Sequence, residues 1–135
     1  MILVDTTILI GIERGDLSIK AFFDQHPSEE YAISSISIQE LYVGLGYSKI
    51  KKGVGFYEKQ KRILDAIIHD FVIITLSEEI LKLSGLKQGE LLAQGITEDS
   101  EDILIGITAE CMKTTKILTK NTKHFVHFNI PCESL

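Results

Sequence analysis

The chain begins Met1-Ile-Leu-Val-Asp5-Thr-Thr-Ile-Leu-Ile10, an apolar run that meets a carboxylate and two hydroxyl side chains. Short apolar runs bounded by polar residues are typical of strands buried on both faces, so we predict a strand at Ile2–Val4. Asp5 then follows the strand directly. An aspartate there suits either capping of the next helix or chemistry at the edge of a sheet, and this stretch alone favours neither.

Further apolar runs and helical spacings alternate along the rest of the chain. Strands are predicted at Tyr31–Ile33, Phe71–Ile74 and Ile117–Thr119, and near Val126–Phe128, where the pattern is faintest. Helical spacing is found in five groups: Phe22 and Phe23; Ile38, Leu41, Tyr42 and Leu45; Tyr57, Leu64, Ile67 and Ile68; Ile80, Leu83, Leu91 and Leu92; and residues 101–113. Gly44 or Gly46 is expected to weaken the second of these helices near its end.

The alternation of strands and helices predicts an α/β fold. Right-handed crossovers between the strands give a mainly parallel central sheet with helices on both faces, which is a three-layer α/β/α arrangement. The 135 residues contain no internal repeat, low-complexity tract or linker rich in proline and glycine. This length suits one domain with a buried core, so residues 1–135 are predicted to form a single domain.

Oxygen-bearing side chains are expected to converge at one edge of this sheet, because ligands bind beyond the carboxyl ends of parallel strands. Asp5 and Asn121 follow predicted strands. Glu40 lies in the first turn of the helix after the second strand, and Asp102 opens the helix that leads into the fourth. Three carboxylates and an amide at one point repel one another unless a cation lies among them, and hard ions such as Mg²⁺ prefer oxygen ligands. The pattern therefore predicts a metal-dependent site.

Two of these residues also have simple local explanations. Ser37-Ile-Gln-Glu40 matches a capping box, with Ile36 and Leu41 placed as a hydrophobic staple, and that alone explains a glutamate at position 40. Asn121 follows a predicted strand, where asparagine is a common turn residue. The local patterns leave both roles open.

The acidic run Glu98-Asp99-Ser100-Glu101-Asp102 is harder to explain by local structure. Acidic residues in the first turn of a helix complement its dipole, but several like charges side by side offset that benefit. A nearby cation would remove the conflict. Asp99 or Ser100 is the natural cap, and Asp102 lies at the junction with the apolar helix, so Asp102 is the candidate ligand.

The net charge of the chain argues against a substrate that carries phosphates, although two basic stretches weaken that argument. The formal net charge is −5, whereas proteins that contact phosphates usually carry excess lysine and arginine. Two stretches are nevertheless basic, one from Lys49 to Arg62 and one from Lys113 to Lys123. For the first stretch, a solvated helix face is the favoured interpretation. The mean hydropathy of +0.15 indicates that a partner covers some apolar surface.

The cysteines and histidines bear on the cellular compartment and on the kind of metal site. Cys111 and Cys132 provide no disulfide framework and fit a reducing cytoplasm. The chain contains no run of about 18 apolar residues, the length needed to cross a bilayer, and charged residues interrupt the apolar start, so a cytoplasmic protein is expected. His124 and His127 match no helix-borne zinc pair, which disfavours a zinc site.

Together these segments resemble the PIN-domain ribonucleases, and specifically the VapC toxins of type II toxin–antitoxin systems. The matching pieces are Ile2–Ile10, Ile33–Gly44, Asp102–Ala109 and Ile117–Phe125, which occur in the order of the family and span almost the whole chain. Each motif is short and degenerate, but four in order are fairly specific.

The resemblance implies Mg²⁺-dependent, or Mn²⁺-dependent, hydrolysis of RNA phosphodiester bonds. It identifies Asp5, Glu40, Asp102 and Asn121 as catalytic residues and the three acids as metal ligands, and it places Asn121 where many members carry aspartate and some carry asparagine. That departure leaves less negative charge for a second metal. Candidates for positioning substrate or water are Thr6, Thr7, Thr119, Lys120 and Lys123. Gly106 stands where the family commonly has alanine, a change expected to have little effect on the chemistry.

The resemblance also implies partners, namely an RNA substrate and a small VapB-type antitoxin. A homodimer is expected too, and the apolar face Tyr57, Leu64, Ile67 and Ile68 is the predicted contact surface. Two other functions compete. A PIN-like module that binds RNA or protein without cleavage is favoured by Asn121 and opposed by the three retained acids. A haloacid-dehalogenase-type phosphatase needs a second aspartate at position 7, which is threonine.

Overall fold

The computed structural model describes residues 1–135. Its five strands are β1 (Ile2–Val4), β2 (Tyr31–Ser34), β3 (Val72–Ile74), β4 (Ile117–Thr119) and β5 (Cys132–Ser134). The six α-helices are α1 (Thr6–Glu13), α2 (Leu17–Gln25), α3 (Ser35–Lys52), α4 (Val54–His69), α5 (Glu78–Ala93) and α6 (Ser100–Cys111). A 3₁₀ turn, Thr122–Phe125, lies between β4 and β5.

The strands form one sheet in the order β3-β2-β1-β4-β5, and every neighbouring pair is parallel. In the centre, Ile2 lies opposite Tyr31 and Leu3 lies opposite Ile117. Because all five strands run in one direction, their carboxyl ends share one edge. The predicted parallel α/β sheet is confirmed.

Side chains of the sheet alternate between two apolar layers, as expected for strands. Leu3 packs into one layer with residues of α5 and α6, among them Ile80, Ile103 and Ile107. Ile2 and Val4 face the other layer, which α1 to α4 complete. The sheet therefore lies between two layers of helices, which confirms the three-layer arrangement.

The predicted strand near Val126–Phe128 is wrong. Phe125 and Phe128 are both buried, but they enter the core from the 3₁₀ turn and the turn that follows it. Their spacing of three residues is helical rather than alternating. The fifth strand is instead Cys132–Ser134, which has no apolar run to mark it and joins the sheet beside β4.

Helix α3 also differs from prediction at both ends. Its cap is Ser34, whose hydroxyl accepts from the Ile36 amide, so Glu40 lies in the second turn and the capping box at Ser37 is wrong. The helix continues past both exposed glycines to Lys52. It stops at Gly53, whose φ of 93° is the left-handed conformation that favours glycine.

The apolar face that was assigned to a dimer contact lies inside the chain. Leu64 and Ile68 are buried, and Tyr57 and Ile67 pack against the same core layer. That face is therefore not available to a partner. Large apolar side chains are exposed elsewhere, on α3 at Val43, Tyr47 and Ile50 and on α5 at Leu81, Leu86 and Leu92. The structure has no helix with the length and apolar character needed to span a membrane.

Candidate active site

Asp5 lies at the end of β1 and is 3% exposed. Its Oδ1 accepts a hydrogen bond from the Thr6 amide at 2.8 Å. Its Oδ2 accepts from the Thr7 hydroxyl and from the Thr119 hydroxyl, each at 2.7 Å. Three donors on two neighbouring strand ends thus compensate the buried charge and fix the orientation of the carboxylate.

Glu40 reaches the same place from the second turn of α3. The Thr6 hydroxyl lies 2.8 Å from Glu40 Oε1 and 2.8 Å from Ser37 Oγ, so the start of α1 is linked to α3. Burial raises the pKa of Glu40, and the charges of Asp5 and Asp102 add to this against the lowering effect of the Thr6 hydrogen bond. Glu40 therefore senses both of the other predicted carboxylates.

Asp102 lies in the first turn of α6, and its side chain is 14% exposed. Burial raises its pKa to about 6, and the charges of Asp5 and Asp99 reinforce that shift, whereas His124 lowers it. Asp99 is the N-cap residue, although its side chain makes no capping hydrogen bond. The acidic run therefore divides between an exposed cap and one carboxylate that points into the site.

Asn121 belongs to a hydrogen-bonded segment that joins the two aspartates. Its backbone amide donates to the Thr119 hydroxyl at 2.9 Å, and that hydroxyl in turn donates to Asp5. Asn121 Nδ2 lies 2.7 Å from His124 Nε2, and His124 Nδ1 lies 2.8 Å from Asp102 Oδ2. The four predicted residues Asp5, Glu40, Asp102 and Asn121 thus lie at one edge of the sheet.

Sequence reasoning missed the place of His124, which was weighed only as a zinc ligand. The available signal was its position three residues after Asn121, because a tight turn brings such side chains together. Arg14 was also missed. It is exposed at the end of α1 and lines two cavities of about 410 and 390 Å³, and Glu40 lines the larger one.

The donors suit a hard divalent cation, but no cage is already assembled around one. The charge of Asp5 raises the pKa of both Glu40 and Asp102, and the charge of Asp102 also raises the pKa of Glu40, whereas a cation would have the opposite effect. Glu40 Oε2 and Asp102 Oδ1 accept no protein hydrogen bond, and neither is sealed from solvent, since only Ser84 Oγ is both buried and unpartnered. No three histidine, cysteine, aspartate or glutamate side chains converge closely enough to hold an ion.

The two lysines predicted to guide RNA differ in their surroundings. Lys120 Nζ pairs with Asp16 Oδ2 at 2.7 Å, and its backbone amide donates to the Thr7 hydroxyl at 3.0 Å. Lys123 is exposed in the 3₁₀ turn and forms no ion pair. Only Lys123 therefore presents an unpaired ammonium group beside Asn121.

Comparison with known proteins decides the family. No model of a known protein family matches the chain. Ribonuclease VapC1 of Rickettsia felis is 30% identical over 128 residues, which are 92% of this chain and 87% of that protein. The chain belongs to the VapC family.

Solved structures extend the VapC likeness to the fold. The crystal structure of VapBC2 from Rickettsia felis, bound to a DNA fragment from the promoter, has a TM-score of 0.84 at 25% identity and covers 100% of this chain and 99% of that one. A toxin–antitoxin complex from Klebsiella pneumoniae has a TM-score of 0.72 at 28% identity and covers 99% and 97%. VapBC from Salmonella typhimurium, at 21% identity and a TM-score of 0.80, covers 98% and 96% and supports the fold alone.

Proposed function

We propose that this protein is the ribonuclease toxin of a VapBC-type toxin–antitoxin pair and cleaves RNA with the help of Mg²⁺ or Mn²⁺. One observation carries the proposal, namely that the charge of Asp5 raises the pKa of both Glu40 and Asp102 at the sheet edge of a VapC fold. Such repulsion destabilises the folded chain unless a cation offsets it, so the arrangement is best explained as a binding site.

Asp5, Glu40 and Asp102 would hold the ion through carboxylate oxygens, which are the ligands that Mg²⁺ prefers. When bound, the ion would neutralise charge on the attacked phosphate and activate the attacking water. Asn121 would add no charge, so a second ion would bind weakly in the free protein. Asp5 needs no rearrangement, because three donors already hold it.

The surrounding hydroxyl side chains orient the acids. The Thr6 hydroxyl fixes Oε1 of Glu40 and leaves Oε2 toward solvent. The hydroxyls of Thr7 and Thr119 both occupy Oδ2 of Asp5, which turns Oδ1 toward the Thr6 amide. Hydrolysis of a phosphodiester requires a proton to leave the attacking water, and Glu40, whose pKa is raised, would accept it.

Contact with RNA would use the few basic groups beside this acidic edge. Lys123 is exposed and unpaired, and Arg14 lines cavities on both sides of α1. Both are suited to phosphate oxygens. Lys120 is already paired with Asp16, so its contribution to RNA binding should be smaller than sequence reasoning predicts.

A VapB-type antitoxin is the proposed protein partner, by analogy with the complexes that share the fold. A groove of about 410 Å³ between α1, α3 and α4 carries Glu40 at its edge and is lined by apolar Leu41, Leu45 and Leu64. An apolar segment with one basic side chain would suit it. We further propose a cytoplasmic homodimer, whose contacts would use the exposed apolar residues of α3 or α5.

The test is cleavage of a mixed RNA pool by the purified protein with Mg²⁺, with Mn²⁺ and with excess EDTA. Cleavage should require the metal, and Asp5→Asn should abolish it. Asp16→Asn is the matched control, because Asp16 also begins a helix but lies outside the acid cluster. Undiminished cleavage in EDTA, or by the Asp5→Asn protein, would contradict the proposal.

A second candidate function is a VapC-like module that binds RNA without cutting it. The observation that favours it is the absence of any assembled group of three metal-ligand side chains. Retention of labelled RNA on the protein, with no metal-dependent product, would support this alternative. The phosphatase hypothesis is abandoned, because the hydroxyl at Thr7 is committed to Asp5 and no second carboxylate stands there.

A further inference from the structure

We propose that His124 is a positioning residue that joins Asn121 to Asp102, so that Asn121 acts on the acidic site through His124 rather than as a ligand. The inference rests on the proposed function, since it concerns how the carboxylate of Asp102 is held for an ion. It is carried by two contacts, 2.7 Å from Asn121 Nδ2 to His124 Nε2 and 2.8 Å from His124 Nδ1 to Asp102 Oδ2.

The direction of these hydrogen bonds follows from the chemistry of the groups. With the Asn121 amide nitrogen facing the ring, His124 Nε2 is the acceptor of this pair, because an amide nitrogen only donates. The ring proton of a neutral imidazole then lies on Nδ1, which faces the carboxylate oxygen of Asp102. Donor and acceptor alternate along the whole path from Asn121 to Asp102. Asn121 thus selects the tautomer of His124 that can donate to Asp102.

The path is anchored at both ends in the folded core. Phe125, the neighbour of His124, is 2% exposed and packs against Phe128, which fixes the 3₁₀ turn. The His124 amide donates to the Asn121 carbonyl at 3.2 Å. The Asn121 amide in turn donates to Thr119, whose hydroxyl holds Asp5. One short segment therefore sets the positions of both aspartates.

The consequence for the site concerns the second oxygen of Asp102. His124 occupies Oδ2, so the carboxylate cannot rotate freely and Oδ1 stays directed away from His124. Hydrogen-bonding partners of metal ligands typically change metal affinity by about 10- to 100-fold when they are removed.

The tautomer can be observed directly in the metal-free protein. Nitrogen-15 NMR of the imidazole at neutral pH should show Nδ1 protonated and Nε2 unprotonated, which is the reverse of the usual preference of free histidine. The preference for the tautomer protonated on Nδ1 should disappear in Asn121→Ala, because that substitution removes the donor to Nε2. A proton on Nε2, with or without one on Nδ1, would overturn the proposal, because Asn121 Nδ2 could not then donate to the ring.

A matched set of substitutions separates the two contacts of His124. His124→Asn places an amide nitrogen near the former Nδ1 and keeps the contact to Asp102, whereas His124→Gln reaches toward Asn121 instead. Calorimetric titration with Mn²⁺ should show weakening by about 10- to 100-fold in His124→Ala and His124→Gln, and recovery to within about threefold of wild type in His124→Asn. Thermal unfolding of each metal-free protein controls for folding.

Tighter Mn²⁺ binding by His124→Ala would overturn the proposal, since it would mean that the His124 side chain opposes binding of the ion instead of orienting its ligand. Unchanged binding would also overturn it. Neither measurement needs RNA, so the inference and the proposed function fail separately. If the His124 variants change Mn²⁺ affinity as expected but the protein does not cleave RNA, only the proposed function fails. If the protein cleaves RNA but the His124 variants bind Mn²⁺ as the wild type does, only the inference fails. A wild-type protein that binds no Mn²⁺ would contradict both.

Discussion

An aspartate lies at the start of α2 and another at the start of α6, and each is contacted by a basic side chain from the same short segment after β4. Lys120 pairs with Asp16 at 2.7 Å, and His124 pairs with Asp102 at 2.8 Å. The two carboxyl groups nevertheless shift in opposite directions. The hydrogen bond from Lys120 holds the pKa of Asp16 far below its usual range, whereas burial raises the pKa of Asp102 to about 6.

The difference shows what separates a structural carboxylate from a functional one. Asp16 is satisfied within the protein, because Oδ1 accepts from the amides of Ser18 and Ile19 and Oδ2 accepts from Lys120. Asp102 has one partner, keeps one oxygen free and lies in the field of other acids. Only Asp102 would gain from a cation. Residue type and proximity to a base are therefore poor guides, and burial among like charges is the better one.

Replacing each aspartate by asparagine should break the comparison most clearly. Asp102→Asn removes a metal ligand and should lower kcat for RNA cleavage by roughly 100-fold or more. Asp16→Asn keeps a good helix cap and loses only an exposed ion pair, so kcat should change by less than about fivefold. Initial rates under saturating Mg²⁺ measure both, with circular dichroism as the folding control. Equal losses in the two proteins would contradict the assignment.

Two glycines, Gly11 in α1 and Gly106 in α6, offer a second test, because each makes room for a neighbouring side chain. A Cβ at Gly106 would lie 2.7 Å from ring atoms of Phe128, and one at Gly11 would lie 2.2 Å from Ile19 Cδ1. Gly106→Ala should therefore lower the free energy of unfolding by about 1 to 3 kcal/mol through overpacking against the ring, whereas Gly11→Ala should cost less, because the terminal methyl of Ile19 can rotate away.

Urea unfolding measures these changes, and Phe128→Leu should recover part of the loss in the Gly106→Ala protein. The sequence-based expectation that alanine at position 106 leaves the chemistry nearly unchanged remains a prediction about activity. A Gly106→Ala protein as stable as wild type would mean that the Phe128 ring moves aside at little cost.

The two aspartates should also give pH effects of opposite sign in the metal-free protein. An unfolded aspartate has a pKa of about 3.9, so the raised value at Asp102 contributes stability that is complete below about pH 4 and is lost as the pH rises through about 6. With allowance for solvent screening, the loss is about 1 kcal/mol. The lowered pKa of Asp16 contributes stability that is present above its ordinary value and is lost on acidification.

Urea unfolding across this pH range, in wild type, Asp102→Asn and Asp16→Asn, separates the contributions. Glu40 is retained in all three proteins, but its pKa should be raised less in Asp102→Asn, because the charge of Asp102 contributes to that shift. The Asp102→Asn curve should lose its decline between about pH 4 and 7. Parallel curves for wild type and Asp102→Asn would show that burial does not suppress ionisation of Asp102.

The smallest expected effect concerns the two lysines of the segment after β4. Lys123 is exposed and unpaired, so Lys123→Ala should raise KM for RNA and reduce the slope of log affinity against log salt concentration by about 1. Lys120→Ala should change that slope less, because Asp16 already neutralises the ammonium group. Salt-dependent binding to an inactive Asp5→Asn protein gives both slopes. A larger change for Lys120 would restore its predicted role in guiding RNA.

Sequence reasoning succeeded where the signal is local. The strands Ile2–Val4 and Ile117–Thr119 coincide with prediction, because a short apolar run between polar residues specifies a buried strand. Asp5 follows its strand directly and Asn121 lies two residues after Thr119, so their place at the sheet edge followed from parallel topology. The start of α3 was misplaced because Ser34 and Ser37 are both suitable caps, and the hydrogen bond from Thr6 decides how Ser37 is used.

The sequence by itself determined the layered α/β architecture and the choice of candidate acids, since both depend on residue type and spacing along the chain. Only the tertiary structure decided which acids act as a group. Segments that are distant in the chain bury Asp102 and bring it near Asp5. They also pair Asp102 with His124, whereas Lys120 pairs with Asp16. Electrostatic interactions depend on separation in space and on exclusion of water, and neither is written in the local pattern.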